Sequence, residues 1–469
     1  MAQNRPATIG ELRAGGHLRE TVKQEMRRNL LARLRERRPV FPGIVGYDET
    51  VVPQVANAVI SGHDVILLGE RGQAKSRLMR SMIQLLDAEV PVVAGCEIND
   101  HPFAPVCARC RALVAAEGDA VLIDWLPRDR RYGEKLATPD TSIADLIGEV
   151  DPIKVAEGRY LADELTIHYG LVPRTNRGVF GINELPDLAE RIQVGLLNIM
   201  EENDVQIRGY RVRLPLDLFV IASANPEDYT SRGRIITPLK DRFGSQVRTH
   251  YPLAVDEEME IMEAERIPAD ATASGVEVLV PAFMREIVAE VTHHSRRSPH
   301  ISQTSGVSVR MSIGNYENVI SNAIRRAVRV DEELAVPRIS DLAFTAASTA
   351  GRVEVEALDE GKEEQVLQRI QRSAVNAVFG RYFTTGQFES LVSRFDADAI
   401  SVEVGEAAPA ASYAKAVGDR VDLAPALKRL GLPDRPEARA SALEFILEGL
   451  HLNKRLNKDE LDGKALYRR

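Results

Sequence analysis

Cysteine is scarce in this chain: 469 residues carry only three. A disulfide framework therefore cannot hold the fold, and a reducing interior is the expected setting. Long apolar runs are missing as well. No stretch reaches the roughly 18 residues that a membrane-spanning helix needs, and Met1 to Gly10 has no hydrophobic core of a secretory leader. Membrane insertion is not expected, and the cytoplasm is the expected location. Excess positive charge is also absent, with 60 lysines and arginines against 69 acids and a formal charge of −9. A chain of that sign is not built chiefly to coat nucleic acid or an anionic membrane.

What is present is an ordinary globular composition, 44% hydrophobic and 28% charged, spread over a length that calls for several packed units. Residues Glu11 to Arg38 are polar and arginine-rich. Leu30, Leu31 and Leu34 share one helical face there, so this part reads as an amphipathic arm with a solvated basic side. From Ile44 to about Leu253 short apolar runs alternate with helical patterns. Val65–Leu68, Val121–Ile123, Val179–Ile182 and Leu218–Ala222 read as strands, which implies a parallel sheet flanked by helices. Beyond Pro252 the helical period takes over. The expected organisation is a helical arm over 1–40, an α/β domain over 41–253 with an insertion at about 95–118, a helical lid over 254–350 and a helical C-terminal region over 351–469.

The chemistry begins at Gly69-Glu70-Arg71-Gly72-Gln73-Ala74-Lys75-Ser76. This segment follows a strand and opens a helix, the context a phosphate-binding loop requires; without that context it would be a chance glycine-rich turn. Backbone N–H groups of such a loop converge on an anion, Lys75 reaches the outer phosphates, and the Ser76 hydroxyl holds Mg²⁺. Ala74 stands where glycine is usual, a small obstruction of one methyl group.

Farther on, the Val179–Ile182 strand ends in Asn183-Glu184. At a sheet's carboxyl edge Glu184 can orient or deprotonate the attacking water. Asn183 occupies the place of the aspartate that usually holds the metal's water shell. A unit charge 4 Å from another is worth about 4 kcal/mol at an effective dielectric of 20, an upper guide to what the amide gives up. Weakened rather than lost Mg²⁺ affinity is therefore expected, and slow hydrolysis stays open as an alternative. The next strand ends at Asn225-Pro226, where an amide can sense the γ-phosphate.

These motifs, with Leu239-Lys240-Asp241-Arg242-Phe243-Gly244, resemble those of AAA+ ATPases. More narrowly, the chain is similar to MoxR proteins and magnesium-chelatase I subunits over roughly Phe41 to Ala327. Ala137-Thr138-Pro139, Ile147–Asp151, Arg174–Gly178 and Val205–Gly209 carry the narrower likeness. The resemblance implies a P-loop AAA+ fold, ATP and Mg²⁺ as ligands, and a ring, a hexamer, as the working form. It implies that Arg242 is an arginine finger acting across a subunit boundary, with Arg232 and Arg234 as fallbacks, and that Arg310 is the second sensor of the lid. It also implies a separate von Willebrand factor A domain partner, since this chain has no Asp-x-Ser-x-Ser motif. No segment reads as a porphyrin site, and a motor subunit needs none.

The three cysteines crowd together as Cys96 and Cys107-Ala108-Arg109-Cys110, with His101 between. Four such ligands can hold a structural zinc ion; a Cys-x-x-Cys pair can also be a redox switch, and three idle thiols are the plain alternative. For the chain as a whole the expectation is an ATP-hydrolysing remodelling motor. The alternative, supported by Asn183, is a nucleotide-dependent scaffold with little turnover. A DNA-associated regulator ranks last, because no helix-turn-helix or zinc-finger pattern accompanies the basic arm.

Overall fold

The computed structural model describes residues 5–151, 164–202, 204–207, 210–225, 234–268, 275–302, 306–355, 362–397, 401–406, 408–417, 422–461 and 464–469. They form two units, Met1–His250 and Tyr251–Arg469.

The first unit is built on five parallel strands: β1 (Val65–Leu68), β2 (Tyr132–Leu136), β3 (Gly178–Asn183), β4 (Leu218–Ala224) and β5 (Ser245–Arg248), in the order β5-β1-β4-β3-β2. Side chains alternate across the sheet, so each apolar run serves two cores. Val65, Leu67, Val179, Phe219 and Ile221 face one side with Leu78, Met79 and Met82. Ile66, Phe180, Ile182, Val220 and Ala222 face the other with Ile192, Leu196 and Ile199. Burial on both faces explains why these strands read as continuous hydrophobic runs.

Two strands differ from expectation. Val121–Ile123 does not join the sheet; Ile123–Pro127 pairs antiparallel with Glu89–Val93. Its place is taken by β2, whose Tyr-Gly-Glu-Lys-Leu sequence carries charge because an edge strand has one neighbour and a half-open face. The polar β5 is the opposite edge.

The basic arm comprises two helices. Its helices Ile9–Ala14 and Val22–Arg35 pack into the first unit through Ile9, Leu12, Val22, Met26 and Leu30, while Leu34 stays exposed. Glu25 lies on the buried stripe, where Arg131 meets it in a fork of 2.7 and 2.6 Å. Removing either partner strands a buried charge, a loss of about 3–5 kcal/mol. At the start of the first helix the Ile9 N–H bonds the Val121 carbonyl, and ahead of it the Trp125 indole donates to Pro6.

The second unit is mainly helical. Ala282–Arg297, Val309–Val330, Lys362–Tyr382 and Pro436–Leu452 enclose Phe283, Phe379, Phe383 and Phe445, with Phe283 and Phe445 stacked at 4.3 Å. The tail is not helical to its end. Asn457–Leu461 and Lys464–Arg468 form a hairpin that pairs with Val402–Gly405. Glu277–Val278 and Leu334–Ala335 add a short parallel pair. The hairpin strands are held in part by cross-strand ion pairs, Lys464–Glu403 and Arg468–Asp459, a pattern that carries little apolar signal. Among the described residues no helix is long and apolar enough to cross a membrane.

Candidate nucleotide-binding site

The loop after β1 is held in shape by its own Gln73 and by Thr249 and Tyr47 beside it. A Cβ on Gly69 would collide with the Thr249 hydroxyl and the Gln73 amide, so the close approach requires glycine. Gln73 Oε1 accepts from the Glu70 N–H (3.1 Å) and the Thr249 hydroxyl (2.7 Å). The Tyr47 hydroxyl sits 2.7 Å from the Gln73 carbonyl and 2.8 Å from that of His250, and burial pushes its pKa up to about 12. Glu70 is half-buried and Arg71 exposed. Gly72 and Ala74 both take left-handed backbone, at φ 77° and 53°. The cost of Ala74 is therefore conformational rather than an obstruction, and a left-handed alanine costs roughly 1–2 kcal/mol.

Lys75 opens the helix Lys75–Ser81 and is buried. Its ammonium donates to the carbonyls of Gly69 (2.5 Å) and Glu70 (2.7 Å) and to Asn225 Oδ1 (2.6 Å). Asn225, just past β4, passes its own N–H on to Glu184 Oε2 at 2.6 Å. Glu184 caps β3 in left-handed backbone at φ 56°, a strained position of the kind that concentrates at functional sites. Ser76 Oγ donates to Asn183 Oδ1 at 2.9 Å. Ser223 Oγ donates to the same oxygen at 3.2 Å and accepts from the Glu184 N–H at 3.2 Å. Loop, β3 and β4 thus meet in one hydrogen-bonded row at the carboxyl edge of the sheet.

Glu134 was not singled out from the sequence. Parallel register sets Leu136 beside Asn183 and Glu134 beside Gly181, and the Glu134 carboxylate accepts from the Asn183 amide. Arg80 forks onto the same carboxylate at 2.7 and 2.8 Å. Burial opposes its ionisation, but the Arg80 and Asn183 hydrogen bonds outweigh that and hold its pKa below the ordinary carboxylate value. A carboxylate on the neighbouring strand therefore accompanies the neutral Asn183. The Ser76 hydroxyl, the Asn183 amide oxygen and the Glu134 carboxylate are hard oxygen donors of the kind that Mg²⁺ and its water shell take, so the residues fit that ion.

The hydrogen-bonded row does not take in the remaining predicted residues. Arg242 is exposed at the end of the helix Thr237–Arg242, and its guanidinium donates to the Met200 carbonyl at 2.8 and 3.2 Å. Arg234 is exposed; Pro226 and Arg232 fall outside the described residues. Arg310 is exposed on the first turn of Val309–Val330 in the second unit. Cys96, Cys107 and Cys110 do come together, but the fourth metal-ligating side chain beside them is Asp100 and not His101. His101 turns the other way: its Nδ1 accepts from the Phe103 N–H at 3.0 Å and its ring stacks on His17. Adjacent residues of a tight turn point apart, and spacing alone could not tell which one faces the thiols.

A five-stranded parallel sheet whose glycine loop, Lys75 and Ser76 meet the polar ends of β3 and β4 has an architecture of the P-loop AAA+ class. Its relatives narrow that class. The chain is 32% identical over 225 residues to the chloroplastic magnesium-chelatase subunit ChlI of Glycine max, covering 46% of this chain and 49% of that protein. It is 28% identical over 227 residues to the magnesium-chelatase 38 kDa subunit of Cereibacter sphaeroides, covering 47% and 62%. Homologues of the chain are thus magnesium-chelatase subunits of the ChlI and BchI kind, and the chain spans about half to three fifths of their length. No protein-family model matches. Among solved structures, one of the complex between subunits BchI and BchD of magnesium chelatase covers 70% of this chain and 99% of that chain at 21% identity. Its TM-score is 0.36, a superposition too loose to carry weight.

Proposed function

We propose that this protein binds and hydrolyses ATP as the motor of an oligomeric ring, a hexamer, acting in the cytoplasm in the manner of MoxR proteins and magnesium-chelatase I subunits. The observation that carries the reading is the row in which Lys75 meets Asn225, Asn225 meets Glu184, and Ser76 meets Asn183. Backbone N–H groups of Gly69 to Lys75 receive the phosphates, and Lys75 brings its charge to the outer ones. Ser76, Asn183 and Glu134 hold the hydrated Mg²⁺, which when bound offsets phosphate charge. Glu184 takes the proton of the attacking water, and Asn225 aims its carboxylate. Arg242, on the surface of the first unit, reaches the γ-phosphate of a neighbouring subunit, and Arg310 answers to the nucleotide from the lid. The work is delivered to a client through a separate protein with a von Willebrand factor A domain.

The second reading is a scaffold that binds ATP and barely turns it over, favoured by the neutral amide of Asn183. The Glu134 carboxylate beside it argues for the motor.

Steady-state ATP hydrolysis over a protein concentration series separates the two. The motor requires specific activity that rises with concentration and is lost in both Glu184→Gln and Arg242→Ala, while nucleotide binding persists. Wild type that binds ATP and turns it over no faster than Glu184→Gln leaves the scaffold as the function.

A further inference from the structure

The insertion that follows Glu89–Val93 brings the three thiols and one carboxylate oxygen, from Cys96, Asp100, Cys107 and Cys110, within 4.8 Å of one another. Cys107, Cys110 and Asp100 are buried and Cys96 is half-buried. Four ligand atoms around a tetrahedral zinc with bonds of about 2.3 Å stand about 3.8 Å apart. A contraction of about 1 Å or less along each edge therefore closes the site.

The backbone is arranged around the sulfurs as if they were negative. The Asp100 N–H donates to Cys96 Sγ at 3.4 Å, and the Cys110 N–H donates to Cys107 Sγ at 3.3 Å. Such N–H groups support metal-bound thiolates from the next shell out. The turn that brings Cys96 and Asp100 together is entered through left-handed Gly95, at φ 63°, and passes through left-handed Asn99, at φ 55°. Asp100 supplies the independent observation. It is fully buried; its Oδ2 accepts from the Cys107 N–H at 3.0 Å, while its Oδ1 has no hydrogen-bond partner among the described residues. A buried carboxylate oxygen left without a partner is costly, and a cation is the natural remedy. A redox pair would use two of the thiols and explain neither the third nor the carboxylate. Idle thiols would explain none of the four.

We propose that Cys96, Asp100, Cys107 and Cys110 form a structural zinc site of three thiolates and one carboxylate. Soft thiolates with one hard oxygen in a closed set of four suit Zn²⁺ better than Mg²⁺ or Cu(I), and no position is left for catalysis. On binding, the thiol protons pass to solvent and no electron is transferred. The site fastens the insertion to the elements that lead to β3. Asn99 Nδ2 donates to the Arg174 carbonyl at 2.7 Å, and Asn176 Nδ2 donates to the Ile98 carbonyl at 2.9 Å, just ahead of that strand. On the other side, Glu164 accepts from the Ala108 N–H (2.6 Å) and Arg111 (3.0 Å) at the start of the helix Ala108–Glu117.

The test is elemental analysis of the full-length protein, purified in reductant without chelator and then offered zinc alone. About one zinc per chain is expected. Cobalt substitution should give the intense absorption of tetrahedral thiolate ligation. Cys107→Ser should lose the metal, and Asp100→Ala should bind zinc about tenfold or more weakly in competition with a chelator. Asp100→Cys should restore it. Because the wild-type metal content is read first, a variant that fails to fold leaves the test intact. Metal-free protein whose three thiols all react with a disulfide reagent overturns the proposal, as does a native disulfide found by mass spectrometry. Iron at the site in place of zinc overturns the assignment of the metal.

Discussion

Asn183 gives its amide N–H to Glu134 on the adjacent strand and turns its oxygen to Ser76. The negative charge expected at the end of β3 has thus moved sideways by one strand. Glu134→Gln should raise the Mg²⁺ concentration needed for half-maximal nucleotide turnover by about tenfold, equivalent to about 1.4 kcal/mol. Asn183→Asp in the same background should recover most of that loss by restoring the charge. A Mg²⁺ titration of hydrolysis reads both. An unchanged Mg²⁺ dependence in Glu134→Gln would remove the carboxylate from the ion's surroundings.

Acidity should act on the same group. Its pKa is held below the ordinary carboxylate value in the folded state, so its contribution to stability is fully present above the unfolded pKa. That contribution fades as pH falls through the folded value. Arg80→Met removes the two-pronged hydrogen bond and should move the Glu134 pKa upward. Carboxyl NMR titration should show the shift, with acid unfolding beginning at a higher pH.

Ala74 carries a side chain through left-handed backbone at φ 53°. Ala74→Gly relieves that strain but adds freedom to the unfolded chain, so a net gain of about 0.5–1 kcal/mol is expected. Urea unfolding of the variant beside wild type measures it. A loss of stability would mean that the methyl group packs favourably enough to outweigh the backbone cost.

Legibility in the sequence followed burial. β1, β3 and β4 are covered on both faces, so their runs Val65–Leu68, Val179–Ile182 and Leu218–Ala222 stand out, and Lys75, Ser76, Asn183, Glu184 and Asn225 follow at or near their ends. β2 and β5 are edges with polar faces, and missing β2 meant missing Glu134. The N-terminal arm hid its packing because Glu25, a charged residue, sits on the buried stripe and depends on Arg131, far away in the chain. At the cysteine cluster the residue types were legible and the direction of one turn was not, which exchanged Asp100 for His101. The antiparallel strands Asn457–Leu461 and Lys464–Arg468 could not be read from periodicity, because they are short and charged and find their partner, Val402–Gly405, only in three dimensions.

The sole tryptophan of the chain, Trp125, lies opposite Pro91 in the antiparallel pair and fixes Pro6 through its indole N–H. Excited at the red edge, beyond the absorption of the 11 tyrosines, intrinsic emission from this protein therefore has a single, known origin. Its colour reports whether the leading segment remains attached to the Ile123–Pro127 strand, so detachment of that segment can be timed optically without adding a label.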